Sequence, residues 1–354
     1  MTKVQKKVLA CWEQGDKLGQ ERGRAEIVRR TGLSAGAVGN ALKSLRERGI
    51  IKKRPPGYNK SVPKEFEHQD EVDDLPTLGD LLERRRAEFG IKEGSEVARK
   101  LERVRVSLDG PVGILHMGDP HVDDPGTDIR LLESHIKLIN ETEGLFGANV
   151  GDQQNNWVGR IAHLYGQQTT TQQEAWMLVE WLITSVDWLY LIGGNHDAWS
   201  GDSDPMRWIA KQAGAQYREW GARLNLVFPN KREVRINARH DFKGHSQWNT
   251  AHGPSKAIQM GWRDHILTCG HKHSSGYNGP LKCPSTGLLS HAIRVASYKI
   301  YDDYAKAGGF MDLNVSPAVV TIINPDLPDT HPGMIQVFHD VELASDFLTY
   351  LRSK

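Results

Sequence analysis

The sequence predicts an α/β body behind a small, basic, helical head. Three observations carry this. From Pro111 onward, short apolar runs alternate with stretches of helical period. The first 50 residues instead read as helix, glycine turn, helix. Charge is divided the same way: the first 60 residues hold 15 Lys and Arg against 5 Asp and Glu, and the remainder 30 against 39, although the whole chain nets only +1. A basic head on an acidic body points to a polyanionic partner for the head. At 354 residues the chain suits two domains, or one with an appendage.

In the head, residues 2–14 are expected as a first helix with Val4, Val8, Leu9 and Trp12 on one face. A short second helix over residues 24–31 ends at Gly32. Ser34 is placed to cap a third helix, about 35–48, with Val38, Leu42 and Leu45 inward and Gly49 closing it. Residues 50–54 read as a basic strand entering a Pro-Pro-Gly turn. This order resembles a winged helix-turn-helix domain. The resemblance implies that the third helix enters a major groove with Ser34, Asn40, Lys43 and Ser44 outward, and that Lys52, Lys53 and Arg54 also touch DNA. A plain three-helix bundle with a solvated basic face, or a helix-turn-helix used for protein contacts, fits the same residues. Residues 55–75, with Pro55, Pro56 and Pro63 before an acidic run, read as a linker. Residues 77–105, around Leu78, Leu81, Leu82 and Phe89, read as a helical arm packed between head and body. The expected division is a DNA-binding head at 1–60, linker and arm at 61–106, and body at 107–354.

In the body, strands are expected at 112–117, 148–150, 189–192, 234–238 and 266–269, and helices at 129–142 and 170–186, the latter with Trp176 and Trp181 toward the core. Residues 318–323 and 335–338 read as strands of a second sheet, and 341–351 as a terminal helix. No run of 18 apolar residues occurs, so no membrane span is expected. The basic start lacks the apolar core of a secretory signal. Cys11, Cys269 and Cys283 form no Cys-x-x-Cys pair, which argues for a reducing compartment and against a thiolate metal site. A cytoplasmic location, in a bacterial or phage-infected cell, is expected.

Five of the strands end in metal-type ligands: Asp119-Pro120-His121, Gly151-Asp152, Asn195-His196-Asp197, His240-Asp241 and Gly270-His271-Lys272-His273. A nitrogen and oxygen donor set without sulfur suits Mn²⁺, Zn²⁺, Fe²⁺ or Ni²⁺. Asp-x-His, Gly-Asp, Gly-Asn-His-Asp, His and Gly-His-x-His in this order resemble the calcineurin-like metallophosphoesterases over roughly residues 110–325. The resemblance implies a β-sandwich flanked by helices and a site for two divalent ions, with Mn²⁺ favoured. One ion would take Asp119, His121 and His273, the other Asn195, His240 and His271, and Asp152 would bridge them. It further implies in-line attack of a hydroxide on phosphorus, with His196 as general acid or stabiliser of the leaving oxygen. His240 is preferred over His245, the reserve, and over His252, because it directly follows its strand. His116, inside a strand, reads as a core residue.

One departure narrows the reading. The protein-phosphatase branch continues Gly-Asp-x-x-Asp-Arg-Gly, whereas here the chain runs Gly151-Asp152-Gln153-Gln154-Asn155-Asn156. Asn155 replaces the Asp that would orient the catalytic His, though it could still accept a bond from His196, and Arg160 is a candidate phosphate contact. Trp157, Trp199 and Trp248 follow site loops, where they could stack on a base or simply pack the rim. Segment 120–126 with a fused helix-turn-helix also resembles phage-encoded members of the family. The expected function is a phosphodiesterase or nuclease acting on DNA. The alternatives are a phosphoesterase on a small nucleotide, with the head as tether or regulator, and a non-enzymatic DNA-binding regulator. The sequence leaves the oligomeric state open.

Overall fold

The computed structural model describes residues 1–17, 23–51, 75–198, 205–246, 248–309 and 311–354. They divide into two compact units, Met1–Leu78 and Gly79–Lys354. No helix among the described residues is long and apolar enough to cross a membrane.

The first unit contains α1 (Lys3–Lys17), α2 (Arg24–Thr31) and α3 (Ala35–Glu47). Gly32 takes φ 65°, the left-handed conformation that ends a helix cheaply, and its N–H donates to Val28 O. Ser34 Oγ then accepts from Ala37 N and caps α3. Val8, Ile27, Val38, Leu42 and Leu45 meet in a small core. Asn40 and Lys43 are exposed on α3. Ser34 is also exposed, but its oxygen is engaged in the cap, while Ser44 Oγ accepts from Gln5 Nε2 of α1 at 3.0 Å. Ile50 and Ile51 lie in a turn rather than a strand. Lys52, Lys53 and Arg54, the rest of the expected strand and nearly all of the linker fall outside the described residues.

The arm is helical, as α4 (Leu78–Arg99), with Leu78, Leu82 and Phe89 exposed. It ends earlier than the sequence suggests. Residues 102–105 form β1 (Glu102–Arg105), a charged edge strand of the body that lies ahead of the expected boundary at 107.

The body is two six-stranded mixed sheets flanked by helices. Its first sheet holds β2 (Val112–Met117), β3 (Leu145–Asn149), β4 (Trp188–Gly193), β5 (Tyr217–Glu219), β11 (Ala318–Ile323) and β12 (Ile335–Phe338), in the order β12-β11-β2-β3-β4-β5. The second holds β1, β6 (Gly221–Val227), β7 (Glu233–Arg239), β8 (Ile266–Cys269), β9 (Gly276–Lys282) and β10 (Leu289–Arg294), in the order β1-β6-β7-β8-β10-β9. The expectation that 318–323 and 335–338 belong to a second sheet is therefore corrected. β11 pairs antiparallel with β2, Val319 opposite His116, and carries β12 into the first sheet. Helices α5 (Ile129–Glu141), α6 (Gln172–Thr184), α8 (Met206–Gln212) and α11 (Val341–Arg352) share a core with the first sheet, while α7 (Asn195–Ala198) and α10 (Asp303–Ala307) are single short turns.

The period of two along β2 divides its side chains between the layers. Leu115 and Met117 join the helix-side core; Val112 and Ile114 join the core between the sheets, with Ile192, Leu224, Ile236 and Ile266. His116 lies fully buried between Tyr190 OH at 2.7 Å and Thr321 Oγ1 at 2.9 Å, and burial holds its ring down at about 3, as befits a core histidine. Over the outer face of the second sheet, α9 (His252–Gln259) packs through Ile258 against Leu267, Cys269 and Ala292. β2, β3 and β4 run parallel, and so do β7 and β8. The residues after all five gather at the carboxyl ends of the strands, where open α/β sheets place ligands.

Candidate metal centre

Each of the five segments leaves its strand and turns sharply. Asp119, His121, Asp152, His271 and His273 all have positive φ, from 27° to 71°. Such conformations cost a non-glycine residue about 1–3 kcal/mol and persist where the surroundings over-determine them. The glycines beside them make room. A Cβ on Gly194 would stand 2.1 Å from Asp152 Oδ1 and 2.6 Å from His240 Cε1, and one on Gly270 would stand 2.8 Å from both Asp119 carboxylate oxygens.

The side chains meet in two groups around Asp152. In one, His121 Nε2 faces His273 Nε2 at 3.2 Å. In the other, His240 Nε2 lies 2.9 Å from Asn195 Oδ1, 3.0 Å from His271 Nδ1 and 3.2 Å from Asp152 Oδ2. Asp152 also shares a set with His121 and His196 whose ligand atoms lie within 4.8 Å of one another. Asp119 Oδ2 accepts from His271 N at 2.5 Å, while its buried Oδ1 has no hydrogen-bond partner. The structure thus brings together all seven expected ligands. His240 occupies the fourth-strand position; His245 is exposed and His252 begins α9.

This arrangement fits divalent cations. Donors about 2.0–2.2 Å from one cation stand roughly 3 Å apart, which is the spacing seen here. The tautomers agree. His240 Nδ1 lies 2.9 Å from Val150 O, an acceptor, so Nδ1 carries the hydrogen and Nε2 turns its lone pair on the other donors. Facing lone pairs need a positive charge between them. Without a cation a proton serves: burial pushes His240 down, but the Asp152 carboxylate outweighs burial and lifts the ring to about 10. Burial opposes ionisation of Asp152 too, yet His240 and His196 hold it well below the usual range. Asp119, with fewer compensating contacts, is raised by burial to about 7. Burial also lowers His121, and it lowers His271 to about 4, although His271 sits exposed at the rim.

His196 points into the centre with Nε2 3.9 Å from Asp152 Oδ2. The role expected for Asn155 needs correcting. His196 Nδ1 donates to the backbone carbonyl of Asn155, whose side-chain Nδ2 instead donates to Asp124 Oδ2 at 2.8 Å and Gln168 Oε1 at 3.3 Å. Trp157 packs edge-on against the His196 ring, centroids 5.2 Å apart. Trp248 is 94% exposed, while Trp199 and the Arg160 side chain lie outside what is described.

No family model matches the chain, and no curated protein matches its sequence. A solved structure described as the crystal structure of Pseudomonas putida nuclease MPE is similar over 64% of this chain and 87% of that one, at 13% identity and a TM-score of 0.30. A likeness that slight says nothing of the chain's activity.

Several supporting residues escaped the sequence reading. Asp302 Oδ2 lies 3.3 Å from His273 Nδ1, and Asp302 Oδ1 lies 3.2 Å from Lys299 Nζ, which also reaches Asp124 Oδ2 at 2.9 Å. Lys299 is buried, with Nζ 5.4 Å from the Trp157 ring centre. Buried Arg294 donates to Gly270 O and Asp241 Oδ1 and braces the fourth and fifth loops. Asp124 stood within a recognisable segment, but Lys299 and Asp302 follow no apolar strand end and gave no signal. Asp197 did not escape: expected from the sequence as support for the turn beside Asn195 and His196, it fastens the second loop to the third by accepting from Asp152 N at 2.7 Å, Gln153 N at 3.1 Å and Gly194 N at 2.9 Å.

Proposed function

We propose that the body is a phosphoesterase working with two divalent cations, Mn²⁺ foremost and Zn²⁺, Fe²⁺ or Ni²⁺ as alternatives, and that it cleaves phosphodiesters of DNA. The observation that carries this reading is the convergence of two donor groups on one carboxylate, Asp152, from the ends of strands in both sheets. Asp119, His121 and His273 would hold one cation, Asn195, His240 and His271 the other, with Asp152 shared. Such a pair, when bound, supplies charge for phosphate oxygens and a water that ionises near neutral pH.

The chain's own residues orient and move the proton. The Asn155 carbonyl fixes the His196 tautomer, so Nε2 faces the centre, where it can pass a proton to a leaving oxygen. Burial lowers His196 on balance, although Asp152 and the Asn155 carbonyl favour the protonated ring, the form whose Nε2 carries the proton it would pass on. The assignment to DNA rests on the charge of the first 60 residues and on a capped α3 with Asn40 and Lys43 exposed, in the manner of a helix-turn-helix. Trp157 beside His196 favours a second reading, a small nucleotide whose base stacks on the indole while the head tethers or regulates. A non-catalytic DNA-binding regulator would have no use for seven convergent donors.

The test is the Mn²⁺-loaded chain against duplex DNA, single-stranded DNA, cyclic nucleotides and phosphomonoesters. DNA should be cut; Asp152→Ala should abolish cutting and His196→Ala should slow it by about 10²–10⁴, while DNA binding survives in both. Hydrolysis of small diesters without any cleavage of DNA would overturn the nuclease reading in favour of the second.

A further inference from the structure

The outer face of the second sheet carries a cluster that the metal centre does not use. The indole of Trp262, just past the end of α9, is in contact with two arginines, with Arg223 Cζ and Arg239 Cζ each 5.0 Å from its ring centre. They come from adjacent strands: Gly221 of β6 pairs with Arg239 of β7, and Arg223 with Asn237. Arg235 belongs to the same face, two and four residues from Asn237 and Arg239 along the alternation of β7.

Charge on this face is unbalanced. Asp264, fully buried, accepts two bonds from Arg223 at 2.8 Å and one from Arg235 at 3.0 Å. One carboxylate thus bonds two guanidinium groups, while a third, that of Arg239, stands beside them. Glu233, at the far end of β7, is already paired with Arg103 at 3.1 Å. Among the described residues no carboxylate pairs with Arg239. Its Nε donates to Asn237 Oδ1 at 3.2 Å, and its Cζ lies 5.6 Å from the Phe242 ring centre. Burial and the like charge of Arg223 both disfavour the Arg239 cation, so the platform holds positive charge against a cost that an arriving anion would relieve. The rim is exposed and suited to bases as well as phosphates: Trp262 is 37% exposed, and Arg263 is exposed beside it.

Its position says which anion. Arg239 directly precedes His240, so the platform ends where the metal centre begins, at the carboxyl end of β7. A phosphoester no larger than the centre would not span both. A nucleic-acid strand, with a phosphate at every step and bases between, matches a surface on which two arginines share one indole.

We infer that Arg223, Trp262 and Arg239 form a subsite for the backbone of a nucleic-acid strand whose reacting phosphate lies at the metal centre. The inference rests on the phosphodiesterase reading and sharpens it toward a polynucleotide. Its test is the binding of a fluorescent oligonucleotide to the full chain without added metal, across a salt series, so that the result does not depend on hydrolysis. Arg239→Gln should weaken binding at every salt concentration and reduce the slope of log affinity against log salt by about one. Arg239→Lys, which keeps the charge, should restore the slope. Thermal unfolding and Mn²⁺ content check that both variants are folded. An unchanged slope in Arg239→Gln overturns the proposal, and so does Arg239→Lys failing like Gln, which would make the arginine merely structural. Loss of inorganic phosphate binding with oligonucleotide binding intact also overturns it. Failure of the wild type to hydrolyse any phosphodiester with Mn²⁺ would count against the phosphoesterase reading instead, and the slope would still decide the platform.

Discussion

His196 Nδ1 donates to the main-chain carbonyl of Asn155, not to its side chain. A main-chain acceptor survives substitution, so Asn155→Ala should leave the His196 limb of the pH–rate profile in place. It should instead cost about 1 kcal/mol of stability, because Asn155 Nδ2 bonds the partly buried Asp124 carboxylate, which would keep only its other partners such as Lys299. His196→Ala should lower kcat by about 10²–10⁴ with cation content unchanged. Urea unfolding and a pH–rate series measure both. A displacement of that limb by about one unit in Asn155→Ala, equivalent to about 1.4 kcal/mol, would show that the side chain does act on His196.

Gly194 sits where two loops close on Asp152. A methyl group there would lie 2.1 Å from Asp152 Oδ1, and neither the carboxylate nor His240 can retreat far from its hydrogen bonds. Gly194→Ala should therefore displace Asp152, destabilise the chain by about 1–3 kcal/mol and reduce the bound Mn²⁺. Metal analysis after dialysis reads the second effect. Two tightly held ions in the folded variant would mean that the loop can relax without moving the carboxylate.

The ligand loops were legible in the sequence because each directly follows an apolar strand, and a buried strand followed at once by His, Asp or Asn has few ordinary explanations. The outline of β2, β8, β11 and β12 was legible for the same reason: their apolar runs are compact and end sharply. Part of what escaped is what apolarity does not mark, although β6 and β10, both largely buried, were missed as well. β1 reads Glu-Arg-Val-Arg, and β9 carries two glycines and a proline, so both edge strands look like loop. Sheet membership was hidden because it depends on pairing across some 200 residues, as between His116 and Val319. Lys299 and Asp302 stand in an irregular stretch whose importance comes only from what lies opposite.

Asp302 stands behind His273 as a carboxylate behind a metal-facing imidazole. Burial works against ionisation of Asp302, but the His273 and Lys299 contacts hold its carboxyl well below the usual range, so it is an anion at neutral pH. A carboxylate at Nδ1 directs Nε2 toward the ligand and raises its basicity. Asp302→Asn should weaken cation binding by about 10–100-fold, read by isothermal titration with Mn²⁺. Chelation should lower the unfolding temperature of the wild type, because cations that bind only the folded chain stabilise it by about 2.7 kcal/mol at a hundred times their dissociation constant. The chelator effect should be smaller in Asp302→Asn. Equal Mn²⁺ affinity in the two proteins would leave Asp302 no part in orienting His273.

Acid should destabilise the fold well above the carboxylate range, through histidines that lie away from the metal centre. Burial holds His116 at about 3 and His291 at about 4, and both rings are at most 3% exposed. In the unfolded chain the same rings titrate near about 6.5. Below that value the unfolded state takes up protons that the folded state refuses, so stability falls as pH falls. The contribution is complete above about 6.5 and is lost progressively down toward the folded values, with each ring adding up to about 1.4 kcal/mol per pH unit within the window. A histidine raised by a carboxylate partner would behave in the opposite sense. Urea unfolding at about pH 7.5, 6.5 and 5.5 should show the decline, with chelator present to remove metal effects. His116→Gln should be less stable than wild type at the highest pH, since it disturbs the bonds to Tyr190 and Thr321, yet its stability should depend less steeply on pH. An undiminished slope in His116→Gln would mean that some other group takes up the proton.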